Sequence, residues 1–210
     1  MTRPNSVGFL DRSVPSGTHV CAFVSGPEQR DEVVLPFLAD GIRAGQKCIC
    51  ILESLDPPDV LARLGRQVDV AEPVQTGQLQ LGTPADAYLA SGRFDTEEML
   101  SYWEQAAAQS PGTYRLTRAA GEMPSVLNNP DGRAEFFRYE ARLTGLVARL
   151  PEVVLCLYDL QRFGAEVLMD ALRTHPMVAV DGMTHDNPYF IDPGEFLRRT
   201  GTGSGSPARP

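Results

Sequence analysis

The stretch Thr18-His19-Val20-Cys21-Ala22-Phe23-Val24, followed by Ser25-Gly26-Pro27-Glu28-Gln29-Arg30, decides the reading of the fold. Its first seven residues form an apolar run with little polar alternation, the pattern of a strand covered on both faces. Gly26-Pro27 punctuates the chain. From Glu28 to Arg43 the period changes, and Val33, Val34, Phe37, Leu38 and Ile42 fall on one helical face, with Pro36 expected to kink the helix. Strand, short loop and helix in this order open a βα unit.

Working outward, further strand candidates are Lys47 to Leu52, Gln78 to Leu81, Thr113 to Arg118, Val153 to Tyr158 and Met177 to Val180. They alternate with helical periods, so the expected class is α/β: a mainly parallel central sheet flanked by helices. Asp56 before Pro57 marks one helix start, and Asp95 with Glu98 has capping-box spacing before Met99, Leu100 and Trp103. Asp131 opens a long helix whose stripe of Phe136, Phe137, Leu143, Leu146, Val147 and Leu150 is ended by Pro151. A helix from Gly164 to Arg173 stops before His175-Pro176, which leaves His175 extended and near the last helical carbonyls. His185 falls in a polar turn, Asp181 to Pro188. One domain is expected over residues 13–200, with residues 1–12 frayed and the Gly/Ser/Thr/Pro-rich segment 201–210 a disordered tail.

The 210 residues carry a net charge of -8, and Lys47 is the only lysine. No basic stripe exists to neutralise phosphates, which argues against nucleic acid as a direct partner. No window reaches the length of a membrane span and Met1 to Pro15 lacks an apolar leader, so the cytoplasm is the expected location. Cys21, Cys48, Cys50 and Cys156 lie in or beside apolar runs and are read as reduced thiols, Cys48 and Cys50 as inert core residues.

A phosphate-gripping loop belongs between the first strand and helix, in the form G-x-x-x-x-G-K-[ST]. Here the lysine is missing, and Glu28 and Asp31 bring negative charge to that position. The run Val153-Val154-Leu155-Cys156-Leu157-Tyr158-Asp159 ends in a carboxylate, as a magnesium-holding strand does, but a turn or cap also accounts for a terminal Asp.

Several segments, in order, resemble one family. They are His19 to Phe23, Gly41 to Ile51, Arg118 with Gly121-Glu122-Met123, the Tyr139-Glu140 pair, Cys156 to Asp159 through Arg162-Phe163, and Leu172 to Pro176. The set is similar to the MEDS domain, the sensory domain of methanogens, methylotrophs and the dichloromethane-response regulator. That resemblance implies a scaffold related to RecA/KaiC ATPases without their Walker A motif, and a role in sensing small organic compounds. It further implies a histidine and cysteine sensing motif, which maps onto His19 and Cys21, and a histidine-kinase-like or anti-sigma regulatory partner. The family commonly has aromatic residues around the end of the first strand, where this chain has Val24 and Ser25.

His19 and Cys21, two apart on a strand, share a face and can meet one ligand. As a metal pair they fall short of a tetrahedral set, which His175 or Cys156 would have to complete; the expectation is no metal and no cofactor. The carboxyl ends of parallel strands form the crevice where ligands bind, and Ser25, Glu53, Arg118, Glu122, Cys156, Tyr158 and Asp159 are placed there. Alternatively, Arg118 closes the fold by pairing with Glu122 or Asp159. The leading expectation is a non-catalytic sensor that binds a small organic ligand and signals to a separate polypeptide, because no helix-turn-helix or kinase segment follows. The alternatives are a nucleotide binder that keeps Asp159 and Glu53 for magnesium without hydrolysis, and a thiol-based redox sensor or Cys/His enzyme using Cys21 or Cys156. Oligomeric state is not read.

Overall fold

The computed structural model describes residues 6–54, 56–83, 94–108 and 114–201. A hairpin of β1 (Ser6–Phe9) and β2 (Arg12–Pro15) leads into β3 (Thr18–Val24), α1 (Gly26–Arg43), β4 (Lys47–Ile51), α2 (Pro57–Leu64), α3 (Ala71–Gln75) and β5 (Leu79–Gly82). Then come α4 (Thr96–Ala108), β6 (Thr117–Glu122), a 3-10 turn (Ser125–Asn128), α5 (Pro130–Val147), β7 (Glu152–Asp159), α6 (Ala165–Thr174), β8 (Met177–Val180), β9 (Met183–Asp186) and α7 (Pro193–Gly201).

β3 to β9 form a seven-stranded sheet in the order β5-β4-β6-β7-β3-β8-β9. Every pairing is parallel except β8 with β9. The fold is thus α/β with a mixed, largely parallel central sheet. β3 is apolar along its length because both faces are covered. Val20, Ala22 and Val24 pack against α1, α2 and the hairpin, while His19 and Cys21 face the layer of α4, α5, α6 and α7. α1 runs through Pro36, which lies on its exposed side. Asp95 caps α4 as expected, its Oδ1 accepting the Glu97 and Glu98 amides at 2.9 and 3.0 Å. Asp56 stands at the N-cap position of α2 without a side-chain cap bond. Among the described residues no helix is long and apolar enough to cross a membrane.

The structure corrects three expectations. Residues 6–15 form the hairpin instead of a loose end to residue 12: Val7, Phe9 and Val14 are buried, and Phe9 packs edge-on to Phe37 with ring centroids 5.4 Å apart. The polar turn after β8 is shorter than expected, because Asp181 and Gly182, with φ of 49° and 74°, make a tight hairpin turn and Met183–Asp186 returns as β9. The strand read as Thr113 to Arg118 is shifted by four residues at its end, to Glu122; Thr113 itself lies outside the described residues. Ala119-Ala120-Gly121 has weak strand propensity, and pairing on both sides with β4 and β7 overrides it. Residues 202–210, read as the tail, also lie outside the description.

β3 leads through α1 toward β4, and β7 leads through α6 to β8 on the other side of β3. The chain therefore diverges between β3 and β7, where an open α/β sheet has its crevice.

Candidate functional site

At that crevice the side chains bond to the protein's own strand ends. Asp159 Oδ1 accepts the Gly26 amide at 3.1 Å and the Gln161 amide at 2.9 Å, and Gln161 Nε2 donates to Ser25 Oγ at 3.2 Å. Glu122 accepts the amides of Glu53 and Ser54 at 2.9 and 2.7 Å and the Ser54 hydroxyl at 2.8 Å. Arg162 pairs with Glu53 and lies 3.8 Å from Glu122. Ser25, Glu53, Glu122 and Asp159 thus gather where the sequence places them. A carboxylate of the chain itself takes the first amide of α1, the place where a bound phosphate would sit.

Arg118 and Tyr158 do not join this crevice. Because β6 begins at Thr117, Arg118 lies at its amino end, on the α1 side of the sheet. Its guanidinium donates to Gln46 Oε1 at 2.6 Å and to the carbonyls of Gly8 and Phe37 at 3.1 and 3.0 Å, tying the hairpin to α1. No ion pair with Glu122 or Asp159 forms. Tyr158 is fully buried beneath the crevice, edge-on to His175, with its ring parallel to that of Phe137.

The α4–α7 side of the sheet holds a second polar group. His19 from β3, Cys156 from β7, Glu140 from α5 and His175 after α6 are all buried, and one donor atom from each lies within 4.8 Å of the others. His19 Nε2 is 3.1 Å from Cys156 Sγ and 3.4 Å from Glu140 Oε2, and His175 Nε2 is 3.0 Å from the same carboxylate oxygen. The network assigns the tautomers. Thr144 Oγ1 spends its only proton on the Thr174 carbonyl at 2.7 Å, so His19 Nδ1–H must donate to that hydroxyl, also at 2.7 Å. His175 Nδ1–H donates to the Ala171 carbonyl at 2.8 Å. In the neutral rings both Nε2 atoms therefore turn lone pairs toward Glu140 and Cys156. The Cys156 thiol satisfies His19, but among the described residues Glu140 Oε2 and His175 Nε2 have no hydrogen-bond partner. Burial, then the neighbouring His175 imidazole, holds His19 well below the ordinary histidine range. Burial, then Glu140, pushes the Cys156 thiol and the Tyr158 hydroxyl well up.

The sequence pairs His19 with Cys21, whereas the structure pairs it with Cys156. Cys21 lies in register beside Cys156 on the adjacent strand, but its thiol points to the Met177 carbonyl at 3.7 Å and burial raises its pKa. His175 ends α6 in an extended conformation and bonds a helix carbonyl, as expected; its second nitrogen joins the cluster. Glu140 is the residue that sequence reasoning missed. The signal was present, since Glu140 interrupts the apolar stripe of α5 between Phe137 and Leu143.

Glu122, Glu140 and Cys156 also line a cavity of about 30 Å³, with Ile51, Trp103, Met123, Phe136, Tyr139 and Leu143 making up most of the remaining wall. That volume exceeds the roughly 10–15 Å³ needed for one water. Its wall is aromatic and aliphatic, fixed in part by Trp103 Nε1 donating to the Tyr139 hydroxyl at 2.7 Å. A larger cleft of about 480 Å³ along the β5 edge, lined by Ile49, Leu61, Val74 and Tyr102 among others, lacks carboxylate, imidazole and thiol groups.

Fold and site together define an α/β domain with a small site between sheet and helices. The family model for MEDS, the MEthanogen/methylotroph, DcmR Sensory domain, matches residues 18–176, and the chain belongs to this family. All four residues of the buried cluster fall inside the match. The chain is also 28% identical over 185 residues to the transcriptional repressor DcmR of Methylorubrum extorquens (strain DSM 6343 / CIP 106787 / DM4), covering 82% of this chain and 66% of the repressor. It thus spans just under two thirds of that relative's length. The family is a sensory domain, and the relative is a transcriptional repressor.

Proposed function

We propose that this domain senses a small organic molecule, of one to three heavy atoms, in the cavity between α4, α5 and the sheet. The change would pass through α5 and α6 to a separate regulatory protein in the cytoplasm. The observation that carries the reading is the placement of Glu122, Glu140 and Cys156 on the wall of a cavity lined otherwise by aromatic and aliphatic residues. A ligand there replaces weak contacts around a void and meets a few polar atoms in a mainly apolar wall. Because Glu140 sits on α5 and touches His175 after α6, a shift at the cavity moves two helices together. A transcriptional repressor as relative supports a regulatory output, and the histidine-kinase-like or anti-sigma class remains the partner implied by resemblance.

The scaffold fits a relative of RecA/KaiC ATPases that has given up its phosphate grip: no lysine stands in Ser25 to Arg30, and Asp159 takes the Gly26 amide. A thiol-based reading is weakened by burial, since Cys48 and Cys50 are pushed up to about 12 and Cys21 and Cys156 are raised as well.

Trp103, the chain's only tryptophan, lines the cavity and reports directly on it. Titration with one- to three-atom alcohols, thiols and halomethanes should shift its emission saturably and raise the melting temperature. Gly121, whose added Cβ would meet nothing nearer than Met123 Cε at 3.9 Å, offers a blocking variant. Gly121→Val should abolish the response in a folded protein. A flat emission across the whole series would end the proposal.

A further inference from the structure

The buried cluster beside the cavity has the form of a metal site. Four potential ligand atoms converge from β3, α5, β7 and the residue after α6, all within 4.8 Å of one another, with separations of 3.0, 3.1 and 3.4 Å for three of the pairs. A tetrahedral ion with bonds of about 2.0–2.3 Å holds its ligands roughly 3.3–3.8 Å apart. Small adjustments suffice. Each imidazole has its other nitrogen held by an acceptor, Thr144 Oγ1 for His19 and the Ala171 carbonyl for His175, the arrangement that orients metal-bound histidines. Glu140 Oε2 and His175 Nε2, buried and 3.0 Å apart, have no hydrogen-bond partner among the described residues, a pair that a cation would satisfy.

We propose that His19, Glu140, Cys156 and His175 bind one divalent transition metal, with zinc the best match to the donor set. Two imidazoles, one thiolate and one carboxylate suit zinc-like ions and disfavour calcium and magnesium, which take oxygen ligands. Charge agrees too. On ligation the Cys156 thiol gives its proton to solvent, and thiolate plus carboxylate then neutralise a dipositive ion in a fully buried site. Glu140 and Cys156 border the cavity, so the ion would lie beside the space assigned to the sensed molecule. The metal site holds whether or not any organic molecule enters that space.

The test uses the full chain, reduced and stripped of metal, titrated with Co²⁺ and then Zn²⁺ with no organic compound present. One Co²⁺ per chain should bind, giving a thiolate charge-transfer band and the intense visible bands of tetrahedral cobalt, both removed by Zn²⁺. Cys156→Ser should lose the charge-transfer band, and Cys21→Ser, which changes the neighbouring thiol outside the four, should keep it. Thr144→Val, which frees the His19 ring from its support, should weaken binding 10- to 100-fold. If Cys156→Ser does not fold, X-ray absorption of the zinc-loaded wild-type chain decides, with one sulfur and three nitrogen or oxygen neighbours expected. A folded wild-type chain that takes up no stoichiometric Co²⁺, a band that follows Cys21 instead of Cys156, or a shell without sulfur would overturn the proposal. A flat Trp103 response with cobalt bound would count against the cavity reading alone.

Discussion

Glu140 Oε2 lies 3.0 Å from His175 Nε2, and neither atom has a hydrogen-bond partner although both are fully buried. With His175 neutral, its one ring proton goes to the Ala171 carbonyl, and this contact then brings two acceptors together. It costs stability in the bare protein and becomes favourable when a cation lies between them.

The sign of one substitution should therefore depend on metal. In a chelator, Glu140→Gln supplies an N–H to His175 and should stabilise the fold by about 1 kcal/mol. With excess Zn²⁺ the order should reverse, the wild type gaining more than the variant. Urea melts under the two conditions check this, and a variant weaker in chelator would refute the assigned His175 tautomer.

Glu152 opens β7 with both carboxylate oxygens buried and unpartnered, and burial pushes its pKa from 4.5 up to about 7. The native protein keeps this proton to near pH 7, whereas the unfolded chain releases it near 4.5. Between those values folding takes up a proton, so stability falls as pH rises and levels off above the window. Glu152→Gln should flatten this slope and gain about 2–3 kcal/mol at pH 8. Equal slopes in the two proteins would show that the carboxylate finds a partner in solution.

Arg118 serves the fold, so Arg118→Met should cost about 3 kcal/mol by leaving the Gly8 and Phe37 carbonyls and Gln46 unpaired. Arg118→Lys should recover only part of that loss, since one ammonium cannot span three acceptors so arranged. Limited proteolysis should cut first in residues 6–15. Gly41→Ala tests the same packing, because its Cβ would fall 2.6 Å from Cys48 Sγ and 2.8 Å from Arg118 Cδ. A loss of about 1–3 kcal/mol is expected.

The four thiols should resist modification in the native state. All are buried, and Cys48 and Cys50 are raised to about 12 by burial. A disulfide-exchange reagent at pH 8 should label none of them until denaturant is added, and then all four. Rapid labelling of Cys21 or Cys156 in the folded chain would restore the redox-sensor alternative.

Much of the fold was legible because its strands are covered on both faces and read as apolar runs; Met177 to Val180 is the same in sequence and structure. The slip at β6 had a larger consequence than its four residues suggest. It moved Arg118 from the carboxyl end of the sheet to the amino end and out of the site. The N-terminal hairpin escaped notice because strands of four residues carry little periodicity of their own. In the site, Cys156 and the crevice carboxylates follow from their place at strand ends and His19 from the family resemblance, whereas Glu140 enters only as a residue of the resemblance and not as a site residue, because it lies inside a stripe read for its apolar members.

The amino-acid order alone determined that this chain folds as a layered α/β domain and that its first loop lacks a lysine to hold phosphate, since both follow from residues close together in the chain. Tertiary structure decided which thiol meets His19: Cys156, 137 residues away, because β7 is hydrogen-bonded to β3 while Cys21 on the same strand turns to Met177. Strand order is set by how whole faces bury against one another, and no local period encodes it.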